Sequence, residues 1–293
     1  MKAKKRGEEL NIKEYIPLDK SWMMRVGVLD IVNGYSDIEI FLEVQNNLSD
    51  DLEALLRAAR AWHTDEAIDV GESGTLYRFL QFASWHFGFN KVFIKQGTLK
   101  DRPITNDAGI ISYSLSKLLE LDHGTSQWAS AALLCGRDEV IKNSSFKLKL
   151  TYEAVSHWRE RRAKGMTWEL RYDETILRQA ETFIALMRGE QPEFVPHQAE
   201  DYCFARAFGY ITQKEGKERW PNLEGHESNR IEVMEVELEN FEAGKPITSW
   251  DHRVVQALAM KGKVEKKEVQ FEHPEAVTKS WPQFWGLLGE ILS

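Results

Sequence analysis

Four stretches place small and polar residues, most with a base, where a helix would begin: LDKSWMMR at Leu18 to Arg25, GESGTLYR at Gly71 to Arg78, GTSQ at Gly124 to Gln127 and TKSWP at Thr278 to Pro282. A helix start offers unpaired N–H groups and a partial positive charge, so Ser, Thr, Gly and Lys there can cradle a phosphate or carboxylate. Arg102 in KDRPI, Arg230 in HESNR and Arg253 in WDHR add forked cations suited to planar anions. Taken singly, each is also what ordinary capping and a solvated surface would produce. The chemistry that the group suggests is recognition of small anions in a local basic pocket.

Positioning such residues falls to alternating helical and strand periods, which favour an α/β or α+β fold. Ser49-Asp50-Asp51 ahead of Leu52, Leu55, Leu56, Ala59 and Trp62 gives a capped amphipathic helix. Gly74 to Phe87, closed by Gly88, gives a second, Ala108 to Leu121 a third, and WASAALLC after Thr125-Ser126-Gln127 a fourth. Leu148, Leu150 and Tyr152, with Phe146, alternate with Lys147, Lys149 and Thr151 as a half-buried strand would, and so does Val264 to Phe271. Asp251 to Met260 reads as a helix, and Ser280 with Pro282 opens a last one. IEVMEVELENF fits either period. MRGEQPEFVPHQ, from Met187 to Gln198, is the best linker and the expected domain crossover.

The chain has 293 residues, 38 basic against 46 acidic, for a net charge of −8. Two domains are expected from the length, and the acidic balance argues against a nucleic-acid partner. No apolar run approaches the ~18 residues of a membrane span, and no signal peptide is visible, so a cytoplasmic protein is expected. Cys135 and Cys203 stand far apart in apolar surroundings, which fits packing rather than a disulfide or a metal site.

In order along the chain, PLDKSWMMR, SDDLEALLRA, GESGTLYRFL, KDRPI, TSQWASAALL, EDYCFARAF, HESNRI, WDHRVVQALA and AVTKSWPQF resemble the signature segments of the 5-enolpyruvylshikimate-3-phosphate synthase family. The resemblance implies a two-domain inside-out α/β barrel built from βαβαββ repeat units. Residues 19–190 would form the shikimate-phosphate domain; residues 1–18 plus 191–293 would form the second, which the shortened sequence leaves trimmed. It implies a monomeric transferase that moves the enolpyruvyl group of phosphoenolpyruvate to shikimate 3-phosphate, in aromatic amino-acid biosynthesis, with no metal or organic cofactor. Lys20, Asp201 and Glu227 match the positions for proton transfer and hydroxyl activation. Ser21 and Arg25 match the ring-carboxylate contacts, Thr125, Ser126 and Ser156 the phosphate contacts, and Gln127 the ring lining. Gly74, Arg230, Arg253 and Lys279 match the phosphoenolpyruvate side, with His252 beside Arg253.

Departures from the family pattern cluster on the phosphoenolpyruvate side. Thr98 stands where the family has Arg, and Glu72 stands where it usually has Asn; His226 and Asn229 replace Lys and Asp. Lys95 or Lys100 could supply the missing charge. An impaired relative that binds shikimate 3-phosphate without transfer, or a transferase with another acceptor, therefore stays open. A relative acting on UDP-N-acetylglucosamine is disfavoured, since GTLKDR carries no cysteine.

Overall fold

The computed structural model describes residues 11–137, 147–166, 170–224 and 229–291. The chain forms two compact units, Leu18–Arg171 and Met1–Pro17 with Tyr172–Ser293, so the first is inserted into the second. The later boundary falls at Arg171–Tyr172 rather than after residue 190, because Ile176, Ala180 and Phe183 of the following helix belong to the flanking unit's core. The ends of each unit meet: Asp19 N donates to Arg171 O at 2.9 Å, and Asp173 N donates to Pro17 O at 2.9 Å.

In the inserted unit, α1 (Lys20–Val32) is capped by Asp19, whose side chain accepts from Trp22 N, and is buried all round from Trp22 to Ile31. An amphipathic stripe is absent because this helix is the centre of the unit. It is followed by α2 (Asp37–Glu43), α3 (Asp50–Ala61), β1 (Ile68–Asp69), α4 (Gly74–Phe87) and β2 (Phe93–Ile94). Helices α2, α3 and α4 pack on α1. A Cβ at Gly27 would lie 2.8 Å from Leu55 Cδ2 and 2.9 Å from Ile38 Cγ1, so glycine is what lets α2 and α3 close on α1. Next come α5 (Leu115–Leu118), α6 (Leu121–Gly124), α7 (Gln127–Leu134) and α8 (Lys149–Lys164), of which α7 and α8 also pack on α1.

Near the end of α1, Asp30 is wholly buried. It accepts from Arg161 Nη2 at 2.9 Å, Arg162 Nη2 at 2.8 Å, Trp158 Nε1 at 2.7 Å and Ile38 N at 3.1 Å. One carboxylate thus ties α1 to α2 and α8.

The flanking unit contains α9 (Glu174–Met187), α10 (Tyr202–Ala207), α11 (Gln213–Arg219), α12 (Arg230–Glu242), α13 (His252–Glu265) and α14 (Phe284–Glu290). Helices α10, α12 and α13 pack on one another, with Phe204, Ile231, Val254 and Leu258 in the shared core. Trp281 Nε1 donates to Tyr15 O at 2.6 Å and ties down the residues ahead of the insertion.

Regular strand pairing among the described residues is confined to parallel β1 and β2, in register Ile68–Phe93 and Asp69–Ile94, joined through α4 as one βαβ unit. Several local expectations give way. Lys149 to Tyr152 is the first turn of α8, not a strand, because the short alternation sits at the head of a longer helical stripe, Thr151, Ala154, Val155 and Arg161, which is what is buried. Val264 lies in the last turn of α13, which stops at Lys266 in the left-handed region; the rest of that stretch forms no regular strand, bonding through Lys267 N to Gly262 O and through the bridge Phe271–Ile247, with Val269 and Phe271 packed on the core. The expected helix over 108–121 breaks into a 3-10 turn, Ala108–Ser112, and α5, since Ser114 bonds Lys117 N and restarts the chain. IEVMEVELENF is helical in α12, burying Ile231, Met234, Glu237 and Phe241. No helix among the described residues is long and apolar enough to cross a membrane.

Candidate functional site

Each unit gathers its own set of the residues singled out above. In the inserted unit the starts of α1, α4 and α7 carry them. Lys20 Nζ donates to Asp51 Oδ2 at 2.9 Å. Arg25 is buried one turn on; its Nε donates to Thr151 Oγ1 at 2.8 Å, its Nη1 to Ser21 O at 2.7 Å, and its guanidinium lies over the Phe79 ring. Burial lowers its pKa to about 10, against the pull of Asp19, so the group stays cationic at neutral pH. Thr151 passes the chain on, donating to Ser130 Oγ at 2.9 Å. Ser21 itself is exposed, and Ser156 lies on the exposed face of α8. Thr151, not Ser156, is the α8 hydroxyl that faces Arg25.

Because Thr151 is the acceptor for a buried cation and the donor to Ser130, Thr151→Val leaves both without their partner. The expected loss is about 1–3 kcal/mol in urea unfolding, with Ser156→Ala near zero.

Thr125, Ser126 and Gln127 stand half-buried at the start of α7. Gln127 Nε2 donates to Thr75 Oγ1 at 2.9 Å, and Gln127 Oε1 accepts from Arg78 Nη1 at 2.6 Å, which joins this start to that of α4. Gly74 lies between two guanidinium groups: a Cβ there would be 3.2 Å from Arg78 Nη1 and 3.4 Å from Arg102 Nη1. Lys95 caps the Tyr77 ring at 4.8 Å and Lys100 is exposed, so Arg102 is the cation that the fold brings to Gly74. Glu72 is turned onto the neighbouring turn. It accepts from Thr98 Oγ1 at 3.2 Å and fills the space that a Cβ at Gly97 would need, while Thr98 accepts from Arg102 Nη2 at 3.0 Å.

In the flanking unit the starts of α12 and α13 meet at Asp251. Its carboxylate accepts from Arg230 Nε at 2.7 Å and, as the α13 cap, from Arg253 N at 2.9 Å. Burial opposes the Asp251 anion, but Arg230 and the Arg253 N–H outweigh it and hold the carboxyl below its ordinary range. Arg230 is correspondingly held above its ordinary value by Asp251 despite burial. Arg253 is 4% exposed, and its Nε and Nη1 have no hydrogen-bond partner among the described residues. His252 is buried beside it. Gln256, one turn on from Arg253, donates to Ser280 Oγ at 3.1 Å, which sets the adjacent Lys279 beside the start of α13.

At the start of α10, burial pushes the Cys203 thiol well up, with Asp251 adding to the shift and Arg230 and Arg253 opposing it. Asp201 is fully buried and accepts from His197 N at 2.8 Å, Gln198 N at 3.3 Å, Gln179 Nε2 at 3.1 Å and Arg178 Nη2 at 3.3 Å. Any proton transfer by Asp201 would have to use an oxygen that already holds this turn. Glu227 and His226 lie outside the described residues.

Chemically, the flanking set is a buried cluster of two guanidinium groups and one carboxylate at two helix starts, with Arg253 Nε and Nη1 unpartnered among the described residues. The inserted set is a network of arginines, hydroxyls and an amide at three helix starts. Arg78, the base of the GESGTLYR stretch, belongs to that network together with Asp122 and Thr151, which escape motif reading. Arg78 has a local signal, standing one turn after Gly74; Thr151 has none, since its partner is 126 residues away.

No family model and no solved structure matches the chain. Among curated proteins, the chain is similar to a 3-phosphoshikimate 1-carboxyvinyltransferase of Aquifex aeolicus (strain VF5), 34% identical over 118 residues, covering 32% of this chain and 26% of the relative. The match therefore spans about a quarter of that protein's length.

Proposed function

We propose that the chain is a transferase that moves the enolpyruvyl group of phosphoenolpyruvate to the hydroxyl of shikimate 3-phosphate, without a metal or organic cofactor. The observation that carries this reading is Arg253: a buried guanidinium with two N–H positions unpartnered among the described residues, beside a charged Arg230, at the starts of two long helices. Leaving buried donors unpaired costs about 1–3 kcal/mol, which a bound carboxylate or phosphate would offset. The partial similarity to a carboxyvinyltransferase points to the same class of ligand.

In this reading the pocket holds phosphoenolpyruvate. A proton is added to its methylene carbon, the acceptor hydroxyl adds to the cationic carbon, and the adduct expels phosphate and gives up a methyl proton to restore the double bond. Lys20, Asp201 and Glu227 would handle the protons; Arg230, Arg253 and Lys279 would balance the anions. Ser21, Arg25, Gly74, Thr125, Ser126, Gln127, Ser156 and His252 would take binding roles, within the two-domain arrangement of βαβαββ units expected above.

Phosphate release by the purified chain, only when phosphoenolpyruvate and shikimate 3-phosphate are both present, is the expected result. No release by folded protein would sink the reading. A second reading, binding without transfer, is favoured by Thr98 and Glu72: the Thr98 hydroxyl engages both Glu72 and Arg102 where a further cation would otherwise stand. Calorimetry showing uptake of shikimate 3-phosphate but none of phosphoenolpyruvate would select it.

A further inference from the structure

Asp122 is not part of any motif named above, and nothing in the expected chemistry uses it. It sits in a turn where three successive residues have positive φ: Asp122 at 46°, His123 at 62° and Gly124 at 79°. Such backbone is costly for the first two, which carry side chains, and persists where the surroundings over-determine it. Here they do. Asp122 Oδ1 accepts from Thr105 N at 3.0 Å and Thr105 Oγ1 at 2.6 Å, and Oδ2 accepts from Arg78 Nε at 2.9 Å and Trp128 Nε1 at 2.7 Å. Burial works against the anion, yet these hydrogen bonds hold the carboxyl below its ordinary range.

The other side of the Arg78 guanidinium, Nη1, donates to Gln127 Oε1. Arginine only donates, so this contact decides which way the Gln127 amide points: oxygen to Arg78, nitrogen to Thr75 and the space beyond. We propose that Asp122 is a positioning residue that acts through Arg78 to lock the Gln127 amide, so that Gln127 presents an N–H donor to the ligand and selects an oxygen acceptor there. The proposal rests, for the ligand itself, on the reading of Gln127 as a lining residue under Proposed function.

Asp122→Asn is the direct probe, since Asn tolerates the left-handed region and keeps the shape. Each carboxylate oxygen receives two donors, so whichever way the new amide turns, its NH2 faces a donor pair. Arg78→Lys is the second variant: it keeps the charge but cannot fork between residues 122 and 127. The ligand-independent readout is hydrogen exchange of the Gln127 side-chain amide, assigned by its loss in Gln127→Ala. Exchange at least tenfold faster in Asp122→Asn or Arg78→Lys, with backbone exchange of α7 unchanged, is expected; unchanged side-chain exchange in a folded variant overturns the proposal.

The second readout is a double-mutant cycle on shikimate 3-phosphate binding. Asp122→Asn should raise Kd at least tenfold in the parent and less than twofold in Gln127→Ala, whereas equal factors in both backgrounds would overturn the route through Gln127. If the parent does not bind this ligand, the reading under Proposed function fails, and the exchange experiment still decides whether Asp122 locks Gln127.

Discussion

Replacing Arg253 with methionine is expected to leave the protein at least as resistant to urea as the parent, while removing its response to phosphoenolpyruvate. Arg253 is a buried cation whose Nε and Nη1 lack hydrogen-bond partners among the described residues. Its removal does not strand Asp251, which keeps Arg230 Nε and still accepts from the backbone N–H of residue 253. Methionine has a similar length and no desolvation cost, and exchanges of buried charge for apolar bulk are often neutral or stabilising by about 1–4 kcal/mol. Binding should move the other way. In the parent, ligand at a hundred times Kd raises the unfolding free energy by about 2.7 kcal/mol; the variant should show no such rise. A variant that loses more than about 2 kcal/mol without ligand would mean that the guanidinium is a structural group already satisfied in the fold, and the anion pocket would lose its main support.

The largest stability effect is expected at Asp30. Asp30→Asn keeps the size of the side chain but removes the negative charge facing Arg161 and Arg162, of which Arg161 is 5% exposed. Stripping one partner from a buried ion pair costs about 3–5 kcal/mol, because the other charge stays out of water. Asp37, the remaining acid near these arginines, is 40% exposed; it hydrogen-bonds Arg162 directly but lies 3.9 Å from Arg161 Nη1, so it leaves the deeper-buried Arg161 without a close counter-ion. Asp37→Asn should therefore cost only about 0–1 kcal/mol. Urea midpoints of the two variants, compared at one pH, test the contrast; near-equal losses would contradict the division of roles.

What could be read from the chain was local. The acids of Asp50 and Asp51 and the stripe through Leu52 and Leu55 mark α3 within a few residues, although Ser49 takes the N-cap position without a side-chain cap bond, and the Gly74 to Phe87 helix with its Gly88 stop is found as read. The sequence also singles out Arg230 and Arg253, which the structure places at the starts of α12 and α13 around Asp251, and Lys279, which ends the 3-10 turn Pro274–Lys279. What failed has a common physical origin. Leu148 to Tyr152 alternates over too few residues to outweigh the helical burial that follows it. Asp30 looks like an ordinary helix residue until Arg161, 131 positions later, is folded against it. Asp122 gives a hint in Asp-His-Gly, residue types that tolerate positive φ, but its grip on Arg78 spans 44 positions and leaves no local trace.

The paired backbone bonds at the unit boundaries have an engineering consequence. Asp173 N reaches Pro17 O, so cutting out Leu18–Arg171 leaves two stumps already in register for a short glycine splice. The excised piece has its own stumps joined by Asp19 N and Arg171 O, so it is equally suited to being closed into a ring or grafted into another host. Two such gene halves, expressed apart, would each carry one share of the cation-rich helix starts.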